Sequence, residues 1–79
     1  MPRYYFDTRD DATFIRDEVG LEIGTFDQVK HAASEAMADL AKDVLPGAEV
    51  RNLAIEVRDD IGPVLVVKLR FEIEHLTVR

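Results

Sequence analysis

The stretch LAIEVRDDIGPVLVVKLRFEI, residues 53–73, decides the fold more than any other part of the chain. On both sides of its centre apolar residues alternate with other residues, which is typical of strands with one buried face. The apolar residues of both strands have odd numbers: Leu53, Ile55 and Val57 in the first, and Leu65, Val67, Leu69, Phe71 and Ile73 in the second. If both sets face one core, the numbers of two paired residues must therefore sum to an even value. A three-residue loop at residues 60–62 satisfies that parity, with Gly62 left-handed in a G1 bulge. The stretch therefore predicts a hairpin with these facing pairs: Val57 and Leu65, Ile55 and Val67, and Leu53 and Leu69.

The region before this hairpin predicts one helix. The sequence TFDQ at residues 25–28 fits a capping box, in which the Thr25 hydroxyl accepts a hydrogen bond from the Gln28 amide. Residues 45–47, Leu-Pro-Gly, end the helix because proline disfavours a helical conformation in the residue before it. Between these signals, apolar residues recur three and four positions apart and form one stripe: Phe26, Val29, Ala33, Ala36, Met37, Leu40 and Val44.

The start of the chain predicts another hairpin. The aromatic run RYYFDTR, residues 3–9, is typical of a strand. Two aspartates that follow it supply turn chemistry, and residues 13–18 form the returning strand. Pairing Phe6 with Ile15 leaves residues 9–12 as a four-residue loop.

The order strand, strand, helix, strand, strand (ββαββ) indicates an α+β domain. Hairpins require antiparallel pairing, and one helix can cover one face of a small sheet. We therefore expect a single domain over residues 1–79, a two-layer sandwich in which one helix packs on a four-stranded, mainly antiparallel sheet. The strand order stays open, because the helical crossover permits more than one arrangement. A chain this short buries only about 60% of its unfolded surface, so we also expect a homo-oligomer.

The charge balance disfavours several classes of partner. The chain has 16 acidic and 10 basic residues, and its net charge is −6. Since Lys and Arg supply most non-specific affinity for phosphates, we expect neither nucleic-acid binding nor binding to an anionic membrane. No apolar run approaches the roughly 18 residues of a membrane helix, and the start does not resemble a signal peptide. These features predict a cytoplasmic protein.

The segment DEVG, residues 17–20, raises the question of a metal site. Its carboxylates offer oxygen ligands for magnesium or calcium, but their spacing fits no calcium-binding loop. The alternation of Val19, Leu21 and Ile23 indicates an extended stretch with one side on the core, and Gly20 permits a bend. We expect a backbone bend with no metal and no cofactor. The alternative is a metal-dependent enzyme that uses Asp10, Asp11, Asp17 and Glu18.

The sequence contains no recognisable catalytic motif. His31 falls on the helix and His75 near the end of the last strand, with no ligand spacing between them. Ser34, the single serine, lies mid-helix outside any nucleophile motif. No glycine-rich phosphate loop is present. We therefore expect no catalytic and no cofactor-binding residues.

Three successive aromatic residues in the first strand predict an interface. Neighbouring strand residues point to opposite faces, so Tyr4 and Phe6 under the helix leave Tyr5 on the other face. Exposed apolar residues on a small domain commonly mark protein interfaces, and the negative charge argues against a base-stacking surface. Basic residues of that face alternate with glutamates, which favours ion pairs over a basic patch. The predicted interface consists of Tyr5, Ala54, Val64 and Val66.

Three segments, in order, resemble one known family. They are MPRYYFDTRD, RDEVGLEIGTFDQVKHAASEAMADLA and LAIEVRDDIGPVL. The family is bacterial and is known only as a domain of unknown function; its members begin M-P-R-Y-[YF]-F, carry D-E-x-G-x-E-[LI] before an alanine-rich helix, and have an I-E-V-x-D-x-x-G hairpin. This chain has Gly24-Thr25 where the family more often has Pro-Asp. The resemblance implies no activity and no functional residues.

The order of elements is also similar, at the level of the fold alone, to HicB-like antitoxin domains. That family binds a partner toxin and often dimerises, but a similarity of fold does not establish a function. The leading interpretation is a small, non-catalytic, cytoplasmic protein–protein interaction module that forms a homodimer. The alternative is an antitoxin-type protein with a small toxin as its heterologous partner.

Overall fold

In the part of the chain that the structure describes, the sheet has five strands and one helix lies against it. The computed structural model describes residues 2–77. All strand pairs are antiparallel, in the order β2-β1-β4-β5, and β3 also pairs with β1. The α+β class is confirmed, with one more strand than expected. The elements are β1 (Arg3–Asp10), β2 (Thr13–Ile15), β3 (Leu21–Glu22), α1 (Phe26–Val44), β4 (Val50–Arg58) and β5 (Pro63–Glu72).

The helix begins and ends where the sequence predicts. Thr25 is the N-cap, and its hydroxyl oxygen accepts a hydrogen bond of 3.2 Å from the Gln28 amide. Leu45 is the C-cap, and Gly47 follows with a φ of 90°, a left-handed conformation that glycine adopts without steric cost. The cap and the stop signal therefore set both ends of the helix.

The core lies between α1 and one face of the sheet. Among the described residues six hydrophobic side chains are buried, and three of them come from the helix and three from β4. The odd-numbered residues of β4 point to this helix-covered face, and its even-numbered residues point to the other side, the open face. Since β4 is flanked by β1 and β5, its inward side chains form the centre of the domain. The buried residues are Val29, Ala33, Met37, Leu53, Ile55 and Val57.

The β4–β5 hairpin has the predicted register but a different loop. The three predicted pairs are observed, and the register shifts between Val57 and Arg58, where Arg58 pairs with Pro63. Gly62 does not have a left-handed conformation, so the predicted G1 bulge is wrong. The loop is held instead by the Asp59 carboxylate, whose Oδ1 accepts hydrogen bonds from the amides of Ile61 and Gly62.

The register predicted for the first hairpin is wrong. Thr8, not Phe6, pairs with Ile15, so the connection shrinks to Asp11 and Ala12. Asp11 adopts a φ of 50°, and aspartate tolerates this left-handed conformation better than most residues, which makes the tight loop possible. The shift is by two residues, so each side chain keeps its face. The return strand also ends at Ile15 and not at residue 18.

Candidate functional site

The open face of the sheet carries three of the four predicted interface residues. Tyr5, Ala54 and Val66 lie on this face, because β1 contributes its odd-numbered residues and β4 and β5 their even-numbered ones. Val64 is placed differently: it packs against the hydrophobic core. The register shift at the start of β5 interrupts the alternation, so two successive residues, Val64 and Leu65, face the helix side. The expected position of Val64 on the open face is therefore wrong.

Arg58 organises one end of the open face. Its Nε atom lies 3.0 Å from Oδ2 of Asp7, and its Nη2 atom donates a hydrogen bond of 2.7 Å to the Asp17 carbonyl oxygen. Its guanidinium carbon lies 4.3 Å from the centroid of the Tyr5 ring, within the range of a cation–π contact. The predicted interface residue Tyr5 is therefore stacked under an arginine of its own sheet.

Asp7 is the buried partner of this arginine, and it is not among the residues that the sequence predicts to be functional. Only 4% of its surface is exposed, and a buried carboxylate is costly unless it is paired and hydrogen-bonded. Both oxygens are used, since Oδ1 accepts a hydrogen bond of 2.9 Å from the Asp17 amide. The alternation that places Tyr5 on the open face also places Asp7 there. This alternation is the sequence signal for the position of Asp7.

Asp17 fills a gap in the outer edge of β1. This edge pairs with β2 near Thr8 and with β3 near Tyr4, and between them the Phe6 amide donates to Oδ2 of Asp17 at 3.1 Å. Oδ1 of Asp17 accepts from the amides of Val19 and Gly20, at 3.0 and 3.1 Å. The carboxylate therefore takes the place of a missing strand residue.

The pKa of Asp17 reflects these contacts. Partial burial raises it, but the amides of Phe6, Gly20 and Val19, together with the Arg58 charge, lower it more, so the pKa lies below its ordinary value. The ionised carboxylate is thus the form that the fold stabilises.

Gly20 completes the bend. Its φ is +72°, and a Cβ atom there would lie 2.8 Å from the Tyr4 carbonyl oxygen and 2.9 Å from Cδ1 of Tyr5. The predicted bend at residues 17–20 is confirmed. The expected contact of this segment with the core is only partly right: Ile23 packs against the core, whereas Val19 and Leu21 are exposed.

The centre of the open face is a shallow groove of about 560 Å³. Ala54 and Val66 supply apolar surface, and several of the charged residues around them form ion pairs. Arg9 lies 2.6 Å from Oε2 of Glu56 and above the Phe14 ring, with its guanidinium carbon 4.6 Å from the centroid. Arg70 contacts Glu72 at 3.1 Å and Asn52 at 2.9 Å. The predicted cross-strand pairing of basic residues with glutamates is therefore wrong in its partners: within residues 2–77, Arg58 pairs with Asp7, Arg70 pairs with Glu72 of its own strand, and the cross-strand pair with Glu56 is made by Arg9.

The family described as "Domain of unknown function (DUF6894)" matches residues 3–70, from the start of β1 to near the end of β5. The chain belongs to this family. No curated protein and no solved structure matches the chain. The similarity to HicB-like antitoxins is not shown by these comparisons. Membership in DUF6894 assigns no activity to any residue, so a function must be argued from the geometry.

The acidic residues considered for a metal site are engaged in separate contacts. Asp10 and Asp11 both contact Arg51, at 2.9 and 3.5 Å, whereas Asp17 binds the backbone of its own bend. Glu18 is exposed. Among residues 2–77, no group of three or more possible ligands is placed to hold a metal ion.

The remaining candidates for chemistry also make separate local contacts. Nε2 of His31 lies 3.0 Å from Glu35, one helical turn away, and Nε2 of His75 lies 3.1 Å from Glu49. The Ser34 hydroxyl donates to the Lys30 carbonyl oxygen at 2.9 Å. In the part of this DUF6894 domain that the structure describes, no helix is both long and apolar enough to cross a membrane.

Proposed function

We propose that the chain is a small, non-catalytic protein–protein interaction module that works as a homodimer in the cytoplasm. Its exposed surface supports this proposal. The chain exposes 5762 Å², whereas a compact monomer of 9.0 kDa exposes about 4,850 Å². The excess of about 900 Å² is close to the roughly 800 Å² that each partner contributes to a standard interface.

The shape of the chain supports the same proposal. The radius of gyration is 14.7 Å, whereas a compact domain of this length has about 11.6 Å. One helix covers one face of an elongated sheet, and only six hydrophobic side chains are buried among the described residues. Burial against a partner is one way for such a thin core to gain stability.

The polar contacts support a binding role over a catalytic one. A catalytic acid, base or nucleophile must face a reacting group, with a partner that orients it. Here the carboxylates of Asp7 and Asp17 are occupied by Arg58 and by backbone amides. These groups hold the sheet together, and so we assign them a structural role.

Sedimentation equilibrium of the purified chain, from low to high micromolar concentration, tests the proposal. We expect a mass that approaches twice the 9.0 kDa of one chain as the concentration rises. A mass of one chain at every concentration contradicts the homodimer. In that case, the same measurement on the chain as isolated from native extract would show whether a different protein occupies the interface.

A further inference from the structure

We propose that the outer edge of β5 is the dimer interface, where two copies pair their β5 strands antiparallel and join two sheets into one. This inference rests on the proposed function, because it names the surface through which the homodimer forms. It places the interface along the edge of the sheet and not across the open face, although Val66 belongs to both surfaces.

The two edges of the sheet are protected to very different degrees. The edge beyond β1 is covered by β2, of three residues, and by β3, of two, and the carboxylate of Asp17 fills the gap between them. The edge formed by β5 is ten residues long, and among residues 2–77 no strand pairs with its outer side. A long strand edge with unpaired backbone groups is a template for pairing with another chain.

The backbone groups that this edge presents can be identified. The Ile73 amide donates to the Glu49 carbonyl oxygen at 2.8 Å, which marks the odd-numbered residues of β5 as those bonded to β4. Hydrogen-bonded pairs alternate along an antiparallel ladder, so the even-numbered residues turn their N–H and C=O groups outward. The outward-facing residues are Val66, Lys68, Arg70 and Glu72. Pro63, which lacks an N–H donor, lies at the very start of the strand and does not interrupt these outward-facing backbone groups.

The first half of the edge is apolar and has a small groove beside it. Residues 64–67 read VLVV, and 47% of Val66 is exposed. On the helix side, 51% of Phe26 is exposed, next to a groove of about 310 Å³. A second copy seated along β5 would cover both side chains. The groove is lined by Phe26, Lys30, Ser34, Leu65, Val66 and Val67.

Charge and the length of the overlap determine which residues of the two β5 strands face one another. In a two-fold antiparallel pair, the residue on the two-fold axis faces the same residue of the second copy. With Lys68 on the axis, two lysines therefore face one another. With Leu69 on the axis, Lys68 lies opposite Arg70. Like charges directly opposite one another destabilise a sheet. Centring on Phe71 places Arg70 opposite Glu72, but only residues 70–72 of the two strands then overlap. Centring on Val66 or Val67 avoids the like-charge contacts, overlaps most of β5 and brings the two VLVV segments together. We therefore place the two-fold axis at Val66 or Val67.

Single-cysteine variants test this placement, because the natural chain has no cysteine. Facing strand residues have Cα atoms about 4.5–5.5 Å apart, within the range of a disulfide. We expect Val66→Cys or Val67→Cys to form a disulfide-linked dimer under mild oxidation, and Ala54→Cys, on the open face, to stay a monomer on a non-reducing gel. Cross-linking through Ala54→Cys alone would move the interface to the open face and overturn the inference.

A charge variant gives an independent test. Val66→Lys places two cations at the proposed axis, and we expect the dimer to dissociate at a concentration at least about tenfold higher than for the natural chain. Val50→Lys is the matched control, because Val50 is a strand valine with the same exposed fraction of 47% on β4, and its dimer should be unchanged. If the natural chain is a monomer, the proposed function fails. If it is a dimer that Val66→Lys leaves intact and that neither cysteine at 66 or 67 cross-links, the inference about β5 alone fails.

Discussion

Two bends of this protein have nearly the same sequence, DEVG at residues 17–20 and DDIG at residues 59–62. In both, Oδ1 of the aspartate accepts hydrogen bonds from the amides two and three residues later. The distances are 3.0 and 3.1 Å in the first bend and 2.8 and 3.0 Å in the second. The local chemistry is therefore the same, an aspartate that holds a turn of its own backbone.

The surroundings of the two bends differ. Asp17 also binds the Phe6 amide through Oδ2, and its backbone contacts Asp7 and Arg58. Asp59 makes its contacts within its own loop, where its amide donates to the Gly62 carbonyl oxygen at 3.0 Å. One bend links three segments of the sheet, and the other only joins two strands. The comparison shows that a short motif determines a turn, while its neighbours determine how much of the fold depends on it.

Among the variants that test this difference between the two bends, the removal of Arg58 should cause the largest loss of folding stability. Arg58→Ala leaves the Asp7 carboxylate buried and unpaired, and uncovers the Tyr5 ring. Breaking a buried ion pair costs about 3–5 kcal/mol, and because 22% of the Arg58 side chain is exposed we expect about 3 kcal/mol. Urea unfolding followed by circular dichroism measures this loss.

Arg70→Ala is the matched control for Arg58→Ala. It removes an arginine from the same face whose partner, Glu72, is more than half exposed, so the loss should stay below about 0.5 kcal/mol. Arg58→Lys keeps the charge without the forked geometry and should fall between the two variants. If Arg58→Ala and Arg70→Ala lower the free energy of unfolding equally, the contacts of Arg58 with Asp7 and the first bend stabilise the fold no more than an exposed ion pair does.

The two glycines provide the next test. Gly20→Ala forces a side chain into a left-handed conformation and against the Tyr4 carbonyl oxygen, and we expect a loss of about 2–3 kcal/mol. Gly47→Ala is the control for backbone strain alone, because its φ is +90° but nothing lies within 4 Å of the added atom; about 1 kcal/mol is expected. If both variants lose the same stability, the close approach at Gly20 has no energetic weight.

Much of the fold follows from the sequence where periodicity is long and regular. The α1 cap at Thr25 and the three residue pairs of the β4–β5 hairpin follow from spacing and parity. The first hairpin is harder, because a shift by two residues keeps every side chain on its face and periodicity cannot detect it. The role of Asp17 depends on the Phe6 amide, eleven positions away, and turn chemistry alone does not reveal such a contact.

Acid should distinguish the two aspartates. The pKa of each is lowered, in Asp17 against the opposing effect of burial and in Asp59 mainly by the Gly62 and Ile61 amides. A carboxyl group with a lower pKa in the folded state contributes stability above its unfolded pKa of about 3.9, and this contribution is lost as the pH falls through the folded pKa. The natural chain should therefore lose stability as the pH drops from about 5 toward 3.

Neutralising each aspartate separates their contributions. Asp17→Asn should lose about 1–2 kcal/mol at neutral pH, because hydrogen bonds to a charged acceptor are replaced by weaker ones, and its stability should change less with acid than that of the natural chain. Asp59→Asn should change the loss of stability at low pH less, because water competes for the hydrogen bonds of the exposed turn. Urea unfolding at several pH values measures both responses, and a larger change for Asp59→Asn would contradict the assignment of Asp17 as the more integrated residue.

At Gly62, the counterpart of Gly20 in the second bend, the expected effect on stability is small and opposite in sign. Its conformation is not left-handed, and nothing lies within 4 Å of an added Cβ atom. Gly62→Ala therefore adds no strain, and it removes freedom from the unfolded chain, so the variant should gain about 0.4–1 kcal/mol. Thermal unfolding beside Gly20→Ala measures the difference directly. A loss at Gly62 comparable to that at Gly20 would mean that the shared D-x-[VI]-G sequence, and not its surroundings, requires the glycine.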